Sequence, residues 1–392
     1  MPGTIEDAAV PHQPKRIAVM FGGTSAEYDV SVVSAQQVMD ATDPEKYEVV
    51  PVIADFENRF YTGSSLRNAA RYRPLPPGRE EVVFAWGERG PELRWVNERR
   101  SLPIDAALPV FHGQFGEDGR VQAYLELIGI PFAGFRSLDA AVGMRKDFTK
   151  TIVARAGVPV LPHVLVSRYD LGEPEKIIAR AGNRFPAIVK PAGLGSSIGV
   201  AVAETPEDLI EVTRAVLLKD RFALIEPKVQ NLVEYNIAVR AVGDEILVSA
   251  IERPKQISAL LDFKEKYLSG GGGAKGTTLP SQGMLSLTRE LNPPMSAEML
   301  ADIHRYARAA FAALGRRGAP RLDFMTDAES GELWFNEINC IPGSYGFFLW
   351  EQASVQPLLF PELIDHLIEE ALRTNLKTFD DPVPQDAYLL PR

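Results

Sequence analysis

Two short stretches, Arg321-Leu-Asp323-Phe324 and Trp334-Phe-Asn-Glu337-Ile-Asn339, constrain this 392-residue chain more than any other part of it. Each interleaves apolar residues with charged or amide side chains, as a strand with one buried face does. Residues two apart on a strand share a face, so Arg321 goes with Asp323 and Glu337 with Asn339. Paired as a hairpin, the strands would gather Asp323, Glu337 and Asn339 into one oxygen-rich cluster, with Arg321 beside it. Such a set suits Mg2+, a hard cation that takes oxygen ligands, usually one or two carboxylates plus substrate phosphates. The competing reading is a half-buried hairpin whose carboxylates face water or pair with Arg321. The rest of the chain has to separate the two.

A chain of this length predicts two or three domains. Its net charge of -10 argues against nonspecific nucleic-acid binding, which depends on excess basic surface. Any anionic ligand must then meet a local basic cluster. The single cysteine, Cys340, excludes an intrachain disulfide and a multi-cysteine zinc site, in keeping with a reducing compartment. The opening MPGTIEDAAVPHQPKR has no signal-peptide pattern, and no stretch reaches about 18 unbroken apolar residues. These features predict a soluble, cytoplasmic protein without a membrane partner.

From the N-terminus, Arg16 to Phe21 reads as an apolar strand stopped by Gly22-Gly23, and a helical pattern begins near Val30. This is the opening of a parallel α/β unit. Thr24 and Glu27 have capping-box spacing, so Glu27 either closes that cap or faces a ligand at the strand's C-terminal edge. Tyr47 to Ile53 and Ala106 to Phe111 are further strands; between them, 61–95 reads as an irregular excursion with a small hairpin. The second strand ends in a loop carrying His112, either a hydrogen-bonded structural residue or a site residue.

Ser137 to Ala156 is strongly helical, and its Lys146 and Lys150 are by default solvated charges. In Phe185 to Gly199 a strand delivers Lys190 to a glycine-serine loop, where backbone N–H groups could approach phosphate. Phe222 to Ile225 leads into Glu226, and two antiparallel strands flank the turn Gly243-Asp244. Four consecutive glycines after Lys266 and Tyr267 suit either a linker or a loop that orders on ligand binding. Ala297 to Leu314 and Pro361 to Leu372 are amphipathic helices. The first strand is followed by GGTSAE and not G-x-G-x-x-G, which argues against a nicotinamide-dependent oxidoreductase.

The segments GGTSAEYDVSVVSA, HGQFGEDGRVQAYLE, KPAGLGSSIGV, KEKYLSG, RLDF and NEIN-x-x-PG occur in an order that resembles the D-alanine-D-alanine ligase family of the ATP-grasp superfamily. The resemblance runs from about Arg16 to Leu372. It implies mixed α/β and α+β architecture: an N-terminal Rossmann-like domain over 14–136, a small central ATP-grasp domain over 137–228, a C-terminal ATP-grasp domain over 229–375 and a peripheral tail at 376–392. It implies an ATP-dependent ligase of peptidoglycan precursor synthesis that forms an acyl phosphate on a first D-alanine and passes the acyl group to the amine of a second.

Site roles follow from the same resemblance. Lys146, Lys190 and Lys266 would contact ATP phosphates, Glu226, Lys228 and Val229 the adenine, and Glu234 the ribose. Asp323, Glu337 and Asn339 would hold two Mg2+ (or Mn2+) ions. Glu27, with Ser196 and Tyr267, would orient the first amino acid, whose site His112 would line. Arg321 and the Gly343 N–H would form an oxyanion hole. The partners implied are small amino-acid substrates and a second copy of the chain, as a homodimer.

One departure stands out. The resemblance implies a serine that binds the second D-alanine's carboxylate at the position where this chain has Phe348. An apolar ring cannot pair a carboxylate. The alternative is therefore a ligase of the same mechanism with a different second substrate: another amino acid, a hydroxy acid or an amine.

Overall fold

A computed structural model describes residues 13–67, 72–88, 90–182, 184–255 and 289–373. Lys266, Tyr267, the glycine-rich stretch 269–278 and the tail 376–392 lie outside the described residues.

The first unit contains β1 (Lys15–Gly22), α1 (Tyr28–Ala41), β2 (Tyr47–Ala54), β3 (Phe60–Thr62), β4 (Glu80–Gly87), β5 (Gly90–Trp95), β6 (Ser101–Pro103), β7 (Ala106–Pro109) and α2 (Arg120–Ile128). They build a seven-stranded sheet in the order β6-β5-β4-β3-β2-β1-β7. β1 pairs in parallel with β2 and β7, and its run from Ile17 to Phe21 is wholly buried, as befits a central strand covered on both faces. The stretch 61–95 is less irregular than its prolines suggest. β4 and β5 form a hairpin that β3 joins antiparallel to β2, extending the sheet.

The helical stretch after residue 136 breaks in two, α3 (Ser137–Met144) and α4 (Lys146–Arg155), at Arg145, whose φ of -98° and ψ of 101° are extended. Both helices pack on the strand Leu333–Asn339. The next unit has β8 (Val164–Ser167), α5 (Pro174–Ala181), β9 (Ala187–Pro191), β10 (Ala201–Ala203), α6 (Pro206–Val216) and β11 (Phe222–Pro227), with an antiparallel sheet ordered β10-β9-β11-β8. α6 starts with a capping box between Thr205 and Asp208. Val166, Ile177, Val189, Leu209 and Ile225 form a separate small core here.

The last unit has β12 (Leu232–Val242), β13 (Glu245–Pro254), β14 (Arg289–Leu291), α7 (Ala297–Ala313), β15 (Arg321–Asp327), β16 (Leu333–Asn339), α8 (Phe347–Glu351) and α9 (Phe360–Leu372). Its sheet is ordered β14-β13-β12-β15-β16. One continuous core joins it to the first unit, running from Ile17, Val19 and Tyr28 to Ile237, Phe324 and Trp350. The first and third sheets therefore share a core, while the four-stranded sheet keeps its own.

Candidate active site

The hairpin forms in the expected register: Asp323 pairs with Glu337 and Arg321 with Asn339, with a bulge immediately after Asp323. Opposed residues point to one side, so all four side chains share a face. The Arg321 guanidinium donates to both Asp323 oxygens at 2.7 and 2.8 Å. Lys146 lies 2.9 Å from Glu337 Oε2. Burial pushes the Asp323 carboxyl up against the opposing pull of Arg321. Burial also raises Glu337, but Lys146 and Lys190 outweigh it and hold that carboxyl below its ordinary range.

Among the described residues, no group of three or more His, Cys, Asp or Glu is placed to hold a metal. Asn339 Oδ1 is buried and, among the described residues, accepts no hydrogen bond. A native fold rarely leaves such an acceptor unmet. Two carboxylates and this orphaned amide oxygen fit a hard cation whose coordination is completed by phosphate oxygens.

Behind this face lies a cluster of buried charges. Lys150 is fully buried, 2.7 Å from Glu226 Oε1, and donates to the Phe335 carbonyl at 3.3 Å. Lys190 lies 2.7 Å from Glu226 Oε2 and donates to Asn336 Oδ1 at 2.9 Å. Burial raises the Glu226 carboxyl, yet the two lysines pull it down to about 2. Burial lowers Lys150 to about 8 despite Glu226. Lys146 and Lys150 are thus not the solvated charges that their helix suggested. One turn apart on α4, they both face the interior, and the break at Arg145 places Lys146 at the helix's first position.

Glu226 and Lys190 also line a cleft of about 470 Å³ between the second and third sheets, with Ile188, Lys228, Val229 and Met325. Apolar walls from Ile188, Val229, Leu232 and Met325, with Glu226 and two lysines among them, suit a heteroaromatic ring that carries an anionic group. Glu234 is opposite Met325 in the strand register and two residues from Leu232, another wall residue, so it stands on the cleft side.

On the other side, Glu27 precedes α1 without capping it. The expected Thr24–Glu27 capping box does not form, because Ser25 Oγ takes the Glu27 N–H at 2.8 Å and the Glu27 carboxylate is engaged elsewhere. That carboxylate accepts from Ser196 Oγ in the glycine-serine loop, where Ser196 and Ser197 have φ of 52° and 57°. Gly113 approaches so closely that a Cβ there would lie 2.6 Å from Glu27 Oε2. Burial raises the Glu27 carboxyl; Ser196, Lys146 and Arg321 oppose this, and Glu337 adds to it. His112 is buried against Ser34 Oγ at 3.0 Å, and burial lowers it to about 4, leaving it neutral at neutral pH.

Glu117 escaped the sequence reading as a site residue. Its carboxylate accepts from the Gly113 N–H at 2.6 Å and the Ile341 N–H at 2.9 Å, tying the loop after β7 to the loop before Gly343. Burial raises its carboxyl to about 8. The available signal was an acid directly after the glycine of Gly116-Glu117-Asp118-Gly119. Gly343 opens a tight turn in which Ser344, Tyr345 and Gly346 have φ of 47°, 57° and 63°. Tyr345 donates to the Pro109 carbonyl, Ser344 Oγ bonds Gln37, and the Ser344 N–H donates to Ser34 Oγ at 3.1 Å. Phe348 follows on α8, half-buried, with the Arg289 guanidinium 4.3 Å from its ring centre.

Models of two family domains match the chain: the D-ala D-ala ligase N-terminus over residues 16–135 and the D-ala D-ala ligase C-terminus over residues 152–369. A D-alanine–D-alanine ligase from Chlorobium phaeovibrioides is 33% identical over 371 residues, covering 91% of this chain and 96% of that protein. The structure of the D-alanine-D-alanine ligase from Coxiella burnetii is similar, with a TM-score of 0.74 and 25% identity, covering 92% of this chain and 94% of that one. So is that of the VanG D-Ala:D-Ser ligase from Enterococcus faecalis, with a TM-score of 0.73 and 27% identity over 92% of this chain and 100% of that one. Fold and site together define an ATP-grasp enzyme, an ATP-dependent ligase. The chain belongs to the D-alanine–D-alanine ligase family.

Proposed function

We propose that the protein joins two molecules of D-alanine, with cleavage of ATP to ADP and phosphate. The observation that carries this is the way the glycine-serine loop joins two groups. It holds Glu27, an acid suited to an ammonium, through Ser196, and accepts through the Leu194 carbonyl at 2.7 Å from Lys146, which lies 2.9 Å from Glu337 among the groups suited to phosphoryl transfer. Glu27, oriented by Ser196, binds the ammonium of the first D-alanine, and neutral His112 lines its site; the resemblance adds Tyr267 to this set.

The adenine enters the cleft at Lys228 and Val229 beside Glu226, with the ribose toward Glu234. Lys146, Lys190 and Lys266 neutralise the phosphates. Asp323, Glu337 and Asn339 would hold two Mg2+ or Mn2+ ions, which when bound supply further positive charge against the phosphate oxygens. The first carboxylate attacks the γ-phosphorus, the bond from that phosphorus to the bridging oxygen breaks, ADP leaves and an acyl phosphate remains. The second amine then attacks the acyl carbon, Arg321 and the Gly343 N–H stabilise the tetrahedral oxyanion, and phosphate leaves. Arg321 must then divide its donors between Asp323 and the oxyanion, which its five N–H groups allow.

We further propose the division 14–136, 137–228 and 229–375 with a peripheral tail, a cytoplasmic location and a homodimer. No helix among the described residues is long and apolar enough to cross a membrane. Phe348 supports a second reading, the same mechanism with a different second substrate. Phosphate release with D-alanine as sole amino acid, in ATP and Mg2+, is expected to be robust and to match dipeptide formed. No turnover at millimolar D-alanine, with turnover on adding another amine or a hydroxy acid, would replace the first reading by the second.

A further inference from the structure

Glu117 performs no step of the mechanism above, yet its buried carboxylate is where two loops of the site meet. Oε2 accepts from the Gly113 N–H at 2.6 Å and Oε1 from the Ile341 N–H at 2.9 Å. Each loop carries a group that the reaction uses. On one, Gly113 lies against Glu27: a Cβ there would be 2.6 Å from Glu27 Oε2 and 2.5 Å from Ser25 Oγ. On the other, Ile341 stands two residues before Gly343. A single carboxylate therefore spans the acid that takes the ammonium and the N–H that takes the oxyanion. Both Glu27 and Arg321 act on its charge across the site.

The two loops depend on that carboxylate unequally. The Gly113 loop also closes through its own backbone, because the Glu117 N–H donates to the Gly113 carbonyl at 3.0 Å. Among the described residues, the Ile341 N–H meets no acceptor but Glu117. Between Ile341 and Gly343 stands Pro342, whose ring fixes φ, here -63°, and whose carbonyl accepts from the Tyr345 N–H at 2.7 Å. A shift of the Ile341 peptide is thus passed to Gly343 with little room to relax. Misplacing a group in an active site by about 1 Å can cost about 100-fold in rate.

We propose that Glu117 is a positioning residue that holds the Gly343 N–H in register with the Glu27-bound amino acid for the second chemical step. This rests on the proposed ligase function and gives Glu117 no contact with substrate. Its removal acts on acyl transfer more than on phosphoryl transfer.

The test reads the two steps separately in the full chain with ATP, Mg2+ and D-alanine. Phosphoryl transfer is followed by oxygen-isotope exchange between the bridging and non-bridging positions of the ATP β-phosphate, and acyl transfer by dipeptide formed. Glu117→Met, similar in volume and without an acceptor, should lower kcat for the dipeptide about 10- to 100-fold while leaving the exchange rate within about threefold. KM for ATP should not change. Glu117→Gln keeps the length and one acceptor oxygen, so it should regain part of the lost kcat. Thermal melting identifies the folded variants; should Glu117→Met fail to fold, the ratio of dipeptide to exchange in Glu117→Gln, expected below that of the unaltered enzyme, decides. Parallel loss of exchange and dipeptide, or undiminished dipeptide formation, would overturn the inference and leave the ligase function standing. No dipeptide from the unaltered enzyme would overturn the proposed function and this inference with it.

Discussion

Replacing Lys150 by methionine removes one of the two cations that hold Glu226 in the interior. Methionine has similar length and no charge, so it fills the space without a new cavity. What remains is a fully buried carboxylate with Lys190 alone, and a Phe335 carbonyl that has lost a donor. The difference between an ordinary carboxyl at 4.5 and Glu226 at about 2 corresponds to about 3 kcal/mol. That agrees with the lower end of the roughly 3–5 kcal/mol seen when one partner of a buried pair is removed. Urea denaturation at pH 7 should therefore show Lys150→Met less stable by about 3 kcal/mol.

The sign of the pH dependence gives a second readout. Because Glu226 is lowered in the folded state, its stabilisation is present above pH 4.5 and lost as pH falls from 4.5 through about 2. With one cation gone the lowering shrinks, so the variant's stability should fall less steeply over that window. KM for ATP should rise about tenfold, because Lys190 is drawn more fully to Glu226 and less to phosphate. A variant with unchanged stability, acid slope and KM would refute the view that this charge cluster organises the nucleotide site.

Glu117 works in the opposite sense. Its carboxyl is raised to about 8, so the folded state binds the extra proton between 4.5 and 8 and stability falls as pH rises through that window; Glu117→Gln should flatten the slope of urea midpoints measured from pH 5 to 8.5. Asn339→Ala should raise the Mg2+ concentration for half-maximal activity at least about tenfold, while changing stability by less than about 1 kcal/mol, since it deletes an acceptor that has no partner among the described residues. Gly116→Ala should destabilise by about 3 kcal/mol in the same denaturation assay, because its Cβ would overlap the buried Phe111 side chain.

The hairpin was legible because its pattern is local: a period of two and a short connection fix which of Arg321, Asp323, Glu337 and Asn339 meet. The turn at Gly243-Asp244 and the long helix α7 were legible for similar reasons. Lys150 was not, since a lysine on a helix looks the same in sequence whether it faces water or a buried carboxylate 76 residues further on. Nor was the break at Arg145, which carries neither proline nor glycine and is set by what α3 and α4 pack against. At Glu27 a local rule was outvoted by a distant partner: the capping spacing was present, but Ser196 holds the carboxylate instead. Glu117 bridges two loops 224 positions apart, a link that no single stretch of sequence displays. Lys266 and Tyr267 lie outside the described residues.

The turn from Gly343 to Gly346 bears on how far this enzyme can be taken apart. Two successive non-glycine residues in the left-handed region, Ser344 and Tyr345, carry a strain of about 1–2 kcal/mol each. The contacts that hold them there come from Ser34, Gln37 and the Pro109 carbonyl, all in the N-terminal unit. The backbone N–H assigned to the oxyanion is thus shaped by a part of the chain more than 200 positions away. The halves of this protein are consequently not interchangeable modules. A chimera that grafts a relative's N-terminal half onto this C-terminal half would inherit the turn's sequence without its mould, unless those three supports travel with it.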